Sequence, residues 1–511
     1  MLALVALSAL PAYGQDENGT VRRWTPPKLL SDGWWQSITI DQQGSIHIGL
    51  YGGKQYDTKG LNYDFMSYLS MDRDGNWSAL NDVISTGIGG YTVRNALATT
   101  SDGMVFAVFR NGTSHMFSGA PIAGASNANN WSPKMLIDNF GYYVNMTSDH
   151  DDNLHIVYSG WANFNSAEPT AENNLEANPC ALCSDLFYRR SSDEGKNWSD
   201  PVPLSLEPEN GSDRPDIFQG ESGRLYIDWD EGYDWYVGRG TPQDVRIVYS
   251  NDEGLTWSKP IILDGGNLPT RRPIQLALTE MRDNVLMAVW RYSTDDDRQI
   301  YFQTSADLGQ TWTKPAPIPY IFARSINETP LDDYELLTDR LGIVHLFAVG
   351  QQELKSSRNS TLFHMQYSQG TWQTPDRIMY SSEMRPEWPK AVIGPKNDIH
   401  VTWFTRGIKE TDRIIKDATK SLKVFYSYLP GNLNALPPVA FKPTETFTPT
   451  PTVFQKLDPT VTPLPTVGAV DVNLTQKTTD QYGQETLLGG MFLAGAFCLV
   501  GALVIRFFSR R

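Results

Sequence analysis

The chain has 511 residues, 40% hydrophobic and 12% aromatic, which suits a well-packed globular body and excludes a mostly disordered chain. Its formal net charge of −15 supplies no basic patch above the acidic background, so nucleic acid is not an expected partner.

Residues 2–10, LALVALSAL, form a short apolar run followed by the small residues Ala12 and Gly14. Residues 1–15 are therefore expected to be a secretory signal, although no Lys or Arg precedes the run. The sequence from 16 to 435 reads as strands throughout. Trp24, Trp77, Trp131, Trp198, Trp257, Trp312 and Trp372 recur in register, each followed closely by Pro or an apolar run. After each comes an apolar stretch around a Gly or Asp/Asn turn, such as SITIDQQGSIHIGLY or ESGRLYIDW, then a variable loop, then a strand such as VRIVYSND. Alternating β-branched and aromatic residues between turn signals give four strands per unit. The expected fold is all-β, a propeller of four-stranded blades, with seven blades favoured and six as the alternative. The last unit lacks a Trp-led strand and the first such strand, Trp24–Leu30, lacks a unit. The N-terminal strand is thus expected to complete the last blade and close the ring, removing exposed sheet edges.

His47, His155, His345 and His400 recur at one strand position, in IHI, LHI, VHL and IHV. Such recurrence belongs to packing rather than to a cluster around one ion, so no metal is expected. No His-Glu-x-x-His, P-loop, Gly-x-Gly-x-x-Gly or Gly-x-Ser-x-Gly sequence occurs, and no cofactor is expected. Cys180 and Cys183, in CALC, suit a small loop disulfide in an exported protein.

Connections D-to-A and B-to-C share one face of such a ring, and the long irregular segments are B-to-C loops. Loops of that length cost ordering entropy without building core, so the loop-rich face is where a site is expected. Strand entries on that face carry Arg94, Arg214, Arg272 and Arg385, three of them in Arg-Pro. A guanidinium fork matches a carboxylate, so the arginines are candidate ligand groups. They equally suit ion pairs between blades, and the sequence leaves both uses open. Asp216, Asp230, Glu231, Trp235 and Glu387 share that rim and complete the candidate set.

Beyond the body, 436–485 is rich in Pro and Thr and reads as a semi-rigid stalk. Leu487–Ile505 is uncharged and long enough to span a bilayer, so 486–507 is expected to be a transmembrane helix. Arg506, Arg510 and Arg511 place the tail 508–511 in the cytoplasm and the body outside the cell, in a single-pass membrane protein.

A second repeat sits between strands C and D. Ser-x-Asp-x-Gly-x-x-Trp is matched by Ser191, Asp193, Gly195 and Trp198; by Ser250, Asp252, Gly254 and Trp257; and by Ser305, Asp307, Gly309 and Trp312. This is the Asp-box, or BNR, motif, and MDRDGNW (71–77) and YSQGTW (367–372) look like decayed copies. Over roughly 20–430 the chain resembles the sialidase-like superfamily of β-propellers. The resemblance implies that the boxes are peripheral turns away from any substrate. It implies that an arginine cluster could hold a substrate carboxylate. No Arg-Ile-Pro is present, and no Tyr–Glu nucleophile pair or acid Asp carries over residue by residue. The expected function is therefore binding of a glycan or protein ligand at the cell surface. An exo-acting glycoside hydrolase of sialidase type is the alternative, and a scaffold in an envelope assembly the second.

Overall fold

The computed structural model describes residues 22–442 except 53–54, 57–61, 89–93, 140, 161–182, 206–210, 235–238, 264, 266–270, 327–332, 355–359 and 408–421. The expected signal, the membrane helix and all but the first residues of the stalk lie outside the described residues. Among those described, no helix is long and apolar enough to cross a membrane.

The described residues form antiparallel sheets with only short 3-10 turns between them. Strands Trp34–Ile40, Ile46–Tyr51, Asn62–Met71 and Asn81–Ile88 make one sheet, with the two-residue strand Gln55–Tyr56 as a fifth member. Three four-stranded sheets begin with the inner strands Asn95–Thr99, Val144–Ser148 and Ser212–Gln219. A nine-stranded sheet begins with Pro273–Glu280 and later includes Tyr334–Thr338. The last sheet runs Met384–Ile393, Ile399–Gly407, Lys423–Leu429 and then Lys28–Asp32. Lys28 lies opposite Tyr426, so the N-terminal strand completes the C-terminal sheet as expected.

The expected seven separate blades are not supported: six sheets are present among the described residues. The reason is a continuation of pairing past a blade edge. Outer strand Ala316–Ala323 is eight residues long, and its end pairs Phe322 with Gln351 and Ala323 with Gly350 of the next unit.

Apolar side chains lie between adjacent sheets. Tyr226, Val245 and Ile247 meet Leu278, Ala288 and Trp290 across one such boundary, and Val157, Leu186 and Tyr188 meet Ile227, Trp229 and Val248 across another. Each fully buried side chain of this kind contributes roughly 1.5–3 kcal/mol.

The Asp boxes are C-to-D turns. Ser191 Oγ donates to Asp193 Oδ1 at 2.8 Å and accepts from Gly195 N at 2.9 Å, while Asn197 N donates to Asp193 Oδ1 at 2.9 Å. The same bonds recur around Ser250–Asp252 and Ser305–Asp307. Gly195 has φ +77°, and a Cβ there would lie 2.2 Å from Phe117 of the preceding sheet. A side chain at that turn would therefore be both strained and obstructed. Trp198 packs edge-on against Phe117, and Trp257 against Tyr188, so each box also ties its sheet to the one before.

The histidines form a parallel structural repeat. His47 Nε2 lies 3.1 Å from Asp41 and its Nδ1 2.6 Å from Tyr68 Oη. Asp149–His155–Tyr188 and Asp398–His400–Tyr426 repeat the arrangement, and in Asp339–His345–His364 a histidine stands in for the tyrosine. Burial alone would raise the Asp149 carboxyl, but bonds from His155 and Asn153 outweigh it and hold it at about 2.

Candidate functional site at the channel mouth

Strands Trp34–Ile40, Asn95–Thr99, Val144–Ser148, Ser212–Gln219, Tyr334–Thr338 and Met384–Ile393, with Pro273–Glu280, line a central channel. Four of them carry a register shift near the loop-rich end: between Trp34 and Ser37, Asp213 and Asp216, Ile274 and Ala277, and Glu387 and Lys390. At each shift one bulky residue takes positive φ: Trp35 at 45°, Arg214 at 54°, Gln275 at 59° and Trp388 at 56°. Arg94, entering Asn95–Thr99, has φ 73°. Such conformations cost of order 1–3 kcal/mol each and persist only where surrounding structure imposes them. A bulge re-aims a side chain that would otherwise alternate into the blade. Four of these five, Arg94, Arg214, Gln275 and Trp388, line one pocket at the mouth.

Arg94 sits in an aromatic cage, its Cζ 3.8 Å from the Tyr143 ring centroid, 4.2 Å from Trp388 and 5.0 Å from Trp35. Trp388 is itself fixed, donating from Nε1 to Gln36 O at 3.0 Å while Gln36 Nε2 donates back to Trp388 O at 2.7 Å. Arg214 is ion-paired with Asp230. Both Asp230 oxygens also accept from Gln275 N at 2.9 Å, so this carboxylate fastens one sheet to the bulge of the next.

A pocket of about 30 Å³ is lined by Arg94, Arg214, Gln275, Tyr334, Trp388 and Lys390, among others. The Tyr334 hydroxyl and both amide atoms of Gln275 are buried with no hydrogen-bond partner. Burial raises the Tyr334 hydroxyl, with Arg291 beside it opposing, so it stays protonated.

Beneath this pocket the channel is bridged. Lys390 Nζ lies 2.7 Å from Glu335 Oε2 and 3.1 Å from Asp216 Oδ2, and Asn145 donates to the other Asp216 oxygen. Below the bridge a cavity of about 350 Å³ continues between Thr39, Thr147, Thr279 and Thr338 toward Gln219 and Glu221. Burial pushes Glu335 up to about 7 against the opposing Lys390. Asp228, fully buried with neither oxygen bonded, is driven well above the carboxylate range by burial and then by Asp216. Among the described residues no group of His, Cys, Asp and Glu is arranged to hold a metal.

The candidates from the sequence divide. Arg94, Arg214 and Asp216 meet at the mouth pocket; Arg272 and Arg385 do not line it. The Arg272 amide donates to Ser293 Oγ at 3.2 Å, and Arg385 is buried opposite Arg406 in the last sheet. Glu387 accepts from Arg406 at 3.2 Å and lies 3.6 Å from Arg324, which pairs with Asp333 at 2.8 Å. Glu231 accepts from Ser205, Ser212 and Trp229 at 2.8–3.0 Å. Cys183 is disulfide-bonded, while Cys180 and Trp235 lie outside the described residues. Gln275, Tyr334, Glu335 and Lys390 were not legible as site residues. One signal existed: Lys390 follows Trp388 by two positions, as Asp216 follows Arg214, so both occupy one register below the mouth.

Residues 148–333 match the BNR repeat-like domain. No curated protein matches the chain in sequence. Among solved structures, the chain is similar to the polysaccharide lyase Uly1 at 9% identity, with a TM-score of 0.52, over 78% of this chain and 89% of that one. It is similar to an ulvan lyase bound to -[GlcA(1-4)Rha3S]- at 13% identity, TM-score 0.52, over 81% and 97%. The NanB sialidase of Streptococcus pneumoniae matches at 14% identity and TM-score 0.43, over 81% and 94%. The chain therefore carries BNR repeat-like sequence over residues 148–333, and its all-β propeller fold is shared with the two polysaccharide lyases.

Proposed function

We propose that the channel mouth on the loop-rich face binds an acidic glycan. One observation carries this reading: three cations, Arg94, Arg214 and Lys390, line a pocket that also receives the unpartnered Gln275 amide and Tyr334 hydroxyl. Buried polar groups left unbonded are costly, and a carboxylate with flanking sugar hydroxyls would satisfy them. Trp388 and Trp35 supply apolar faces beside the same pocket. Turnover is the second reading, because the Tyr334 hydroxyl stands where a proton could be exchanged with a bound sugar. An exo-acting hydrolase of sialidase type stays within that second reading.

The test is calorimetric titration with a glucuronate oligosaccharide and with sialyllactose, followed by assay for unsaturated uronate or released sugar. Saturable binding of an acidic glycan without product supports binding alone. Tyr334→Phe should weaken that binding at least several-fold while leaving the melting temperature unchanged or higher, since it removes an unsatisfied group. Absence of binding to every acidic glycan tried sinks the reading.

We read the nine-stranded sheet as two consecutive units, four strands from Pro273 to Ala323 and five from Tyr334 to Tyr380 with the two-residue Thr371–Trp372 as the extra one, which returns seven units to the ring. We also propose display at the cell surface, with 1–15 removed, 436–485 as stalk and 486–507 as anchor. Recovery of the full chain in a soluble fraction would contradict this.

A further inference from the structure

Lys390 is the cation of the mouth that has a competitor built in. Lys390 lines the mouth pocket, and its ammonium is held by Glu335 from Tyr334–Thr338 and by Asp216 from Ser212–Gln219. A ligand carboxylate at the mouth and the Glu335 carboxylate would seek the same three N–H donors. We infer that the Glu335–Lys390–Asp216 bridge is a charge gate in the floor of the glycan site, closed by Glu335 and opened when Glu335 loses its charge. This rests on the acidic-glycan reading above.

The groups facing the bridge are few. Asp216 accepts from Asn145 on Val144–Ser148 as well as from Lys390. Asp228, on Leu225–Asp234, lies opposite Asp216 in the sheet, and burial raises its carboxyl well above its ordinary value. Trp388, on the strand of Lys390, places its ring 5.2 Å from the ammonium. Arg214 lines the same pocket but is engaged by Asp230. The bridge holds two carboxylates against one ammonium, with the Glu335 side chain 13% exposed and that of Asp216 37%. Glu335 is the one whose charge changes near neutrality, at about 7. Lys390 stays charged, because Asp216 and Glu335 outweigh its burial. As pH falls through 7, Glu335 takes a proton, Lys390 keeps Asp216 alone, and the mouth becomes more positive. An acidic ligand should then bind more tightly.

The experiment is titration of the full chain with a glucuronate oligosaccharide between about pH 5.5 and 8.5. The wild type should bind about tenfold or more tightly at the acidic end, as one linked proton allows. Glu335→Gln should bind tightly at every pH, and Lys390→Met weakly at every pH. Melting temperature gives a ligand-free check. A folded-state pKa raised above the unfolded value gives stability that is lost as pH rises through about 7, and Glu335→Gln should remove that loss. Binding of the wild type with no pH dependence, or dependence that survives in Glu335→Gln, overturns the gate and leaves the site reading standing. No binding at any pH overturns both.

Discussion

The two ends of the channel are built by opposite rules. At the Asp-box end, the repeated polar groups close on one another: Ser191, Asp193 and Asn197 within a turn, and Asp149, His155 and Tyr188 between strands. The segment after the last strand is tied down there too. Leu433 N bonds Lys396 O at 3.1 Å, Val439 N bonds Gln42 O at 3.3 Å and Lys442 N bonds Ser101 O at 2.7 Å, across the A-to-B turns of successive sheets. At the mouth, bulky residues hold positive φ, and the Gln275 amide and Tyr334 hydroxyl are left without partners. Positive φ occurs at both ends, in tight turns at Glu194, Glu253 and Leu308 and in strand bulges at Trp35, Arg214, Gln275 and Trp388; the mouth differs in that its unpartnered polar atoms belong to side chains lining a pocket. That division is what a scaffold with one functional end requires.

The largest blow to this picture would come from the seam that joins the chain ends. Deleting residues 22–32 removes the strand paired with Lys423–Leu429 and opens the ring. The expected outcome is no cooperative melt and poor solubility; a normal melt would show that closure does not depend on this strand. Next comes Asp230→Ala. It removes the Asp230 carboxylate from buried Arg214 and strips the Gln275 backbone N–H of its acceptor, so a loss of about 3–5 kcal/mol in chemical denaturation is expected. A loss below about 1 kcal/mol would mean the Arg214–Asp230 pair does not hold the two sheets together.

At the other end, Ser250→Ala deletes the hydroxyl that bonds Asp252 and Gly254, and a cost of about 1 kcal/mol is expected with glycan binding unaffected. Loss of binding would erase the contrast between the ends. Acid sharpens it further. The Asp149 carboxyl sits at about 2 when folded against an ordinary 3.8, a depressed value. Its stabilisation is present above pH 3.8 and is lost as pH falls toward 2. Asp149→Asn should flatten that part of the pH–stability profile. The smallest effect is expected from Arg272→Ala, because Arg272 does not line the mouth pocket. Affinity for an acidic glycan should change less than about threefold, whereas Arg94→Ala should weaken it at least tenfold. Equal losses in the two variants would mean the pocket extends beyond the residues that line it here.

The sequence alone determined the repeat. Trp spacing, strand alternation and Ser-x-Asp-x-Gly-x-x-Trp are local signals, because a turn is made by residues within a few positions of one another. Closure by the N-terminal strand followed from one unit lacking what the other end supplied. The mouth could not be read in that way. Whether an arginine becomes a ligand group or an interblade ion pair depends on which sheet stands beside it. Arg214 and Arg385 share the same Arg-Pro signature, yet only Arg214 lines the pocket. Gln275, Tyr334 and Lys390 carry no motif; they sit on three strands distant in sequence, and bulges place Gln275 and Lys390 but not Tyr334. The joining of two units into one nine-stranded sheet was equally hidden, since it rests on two residue pairs, Phe322–Gln351 and Ala323–Gly350, distant in sequence. Local chemistry wrote the blades into the chain, while the packing of each sheet against the next decided which side chains face one another across the channel.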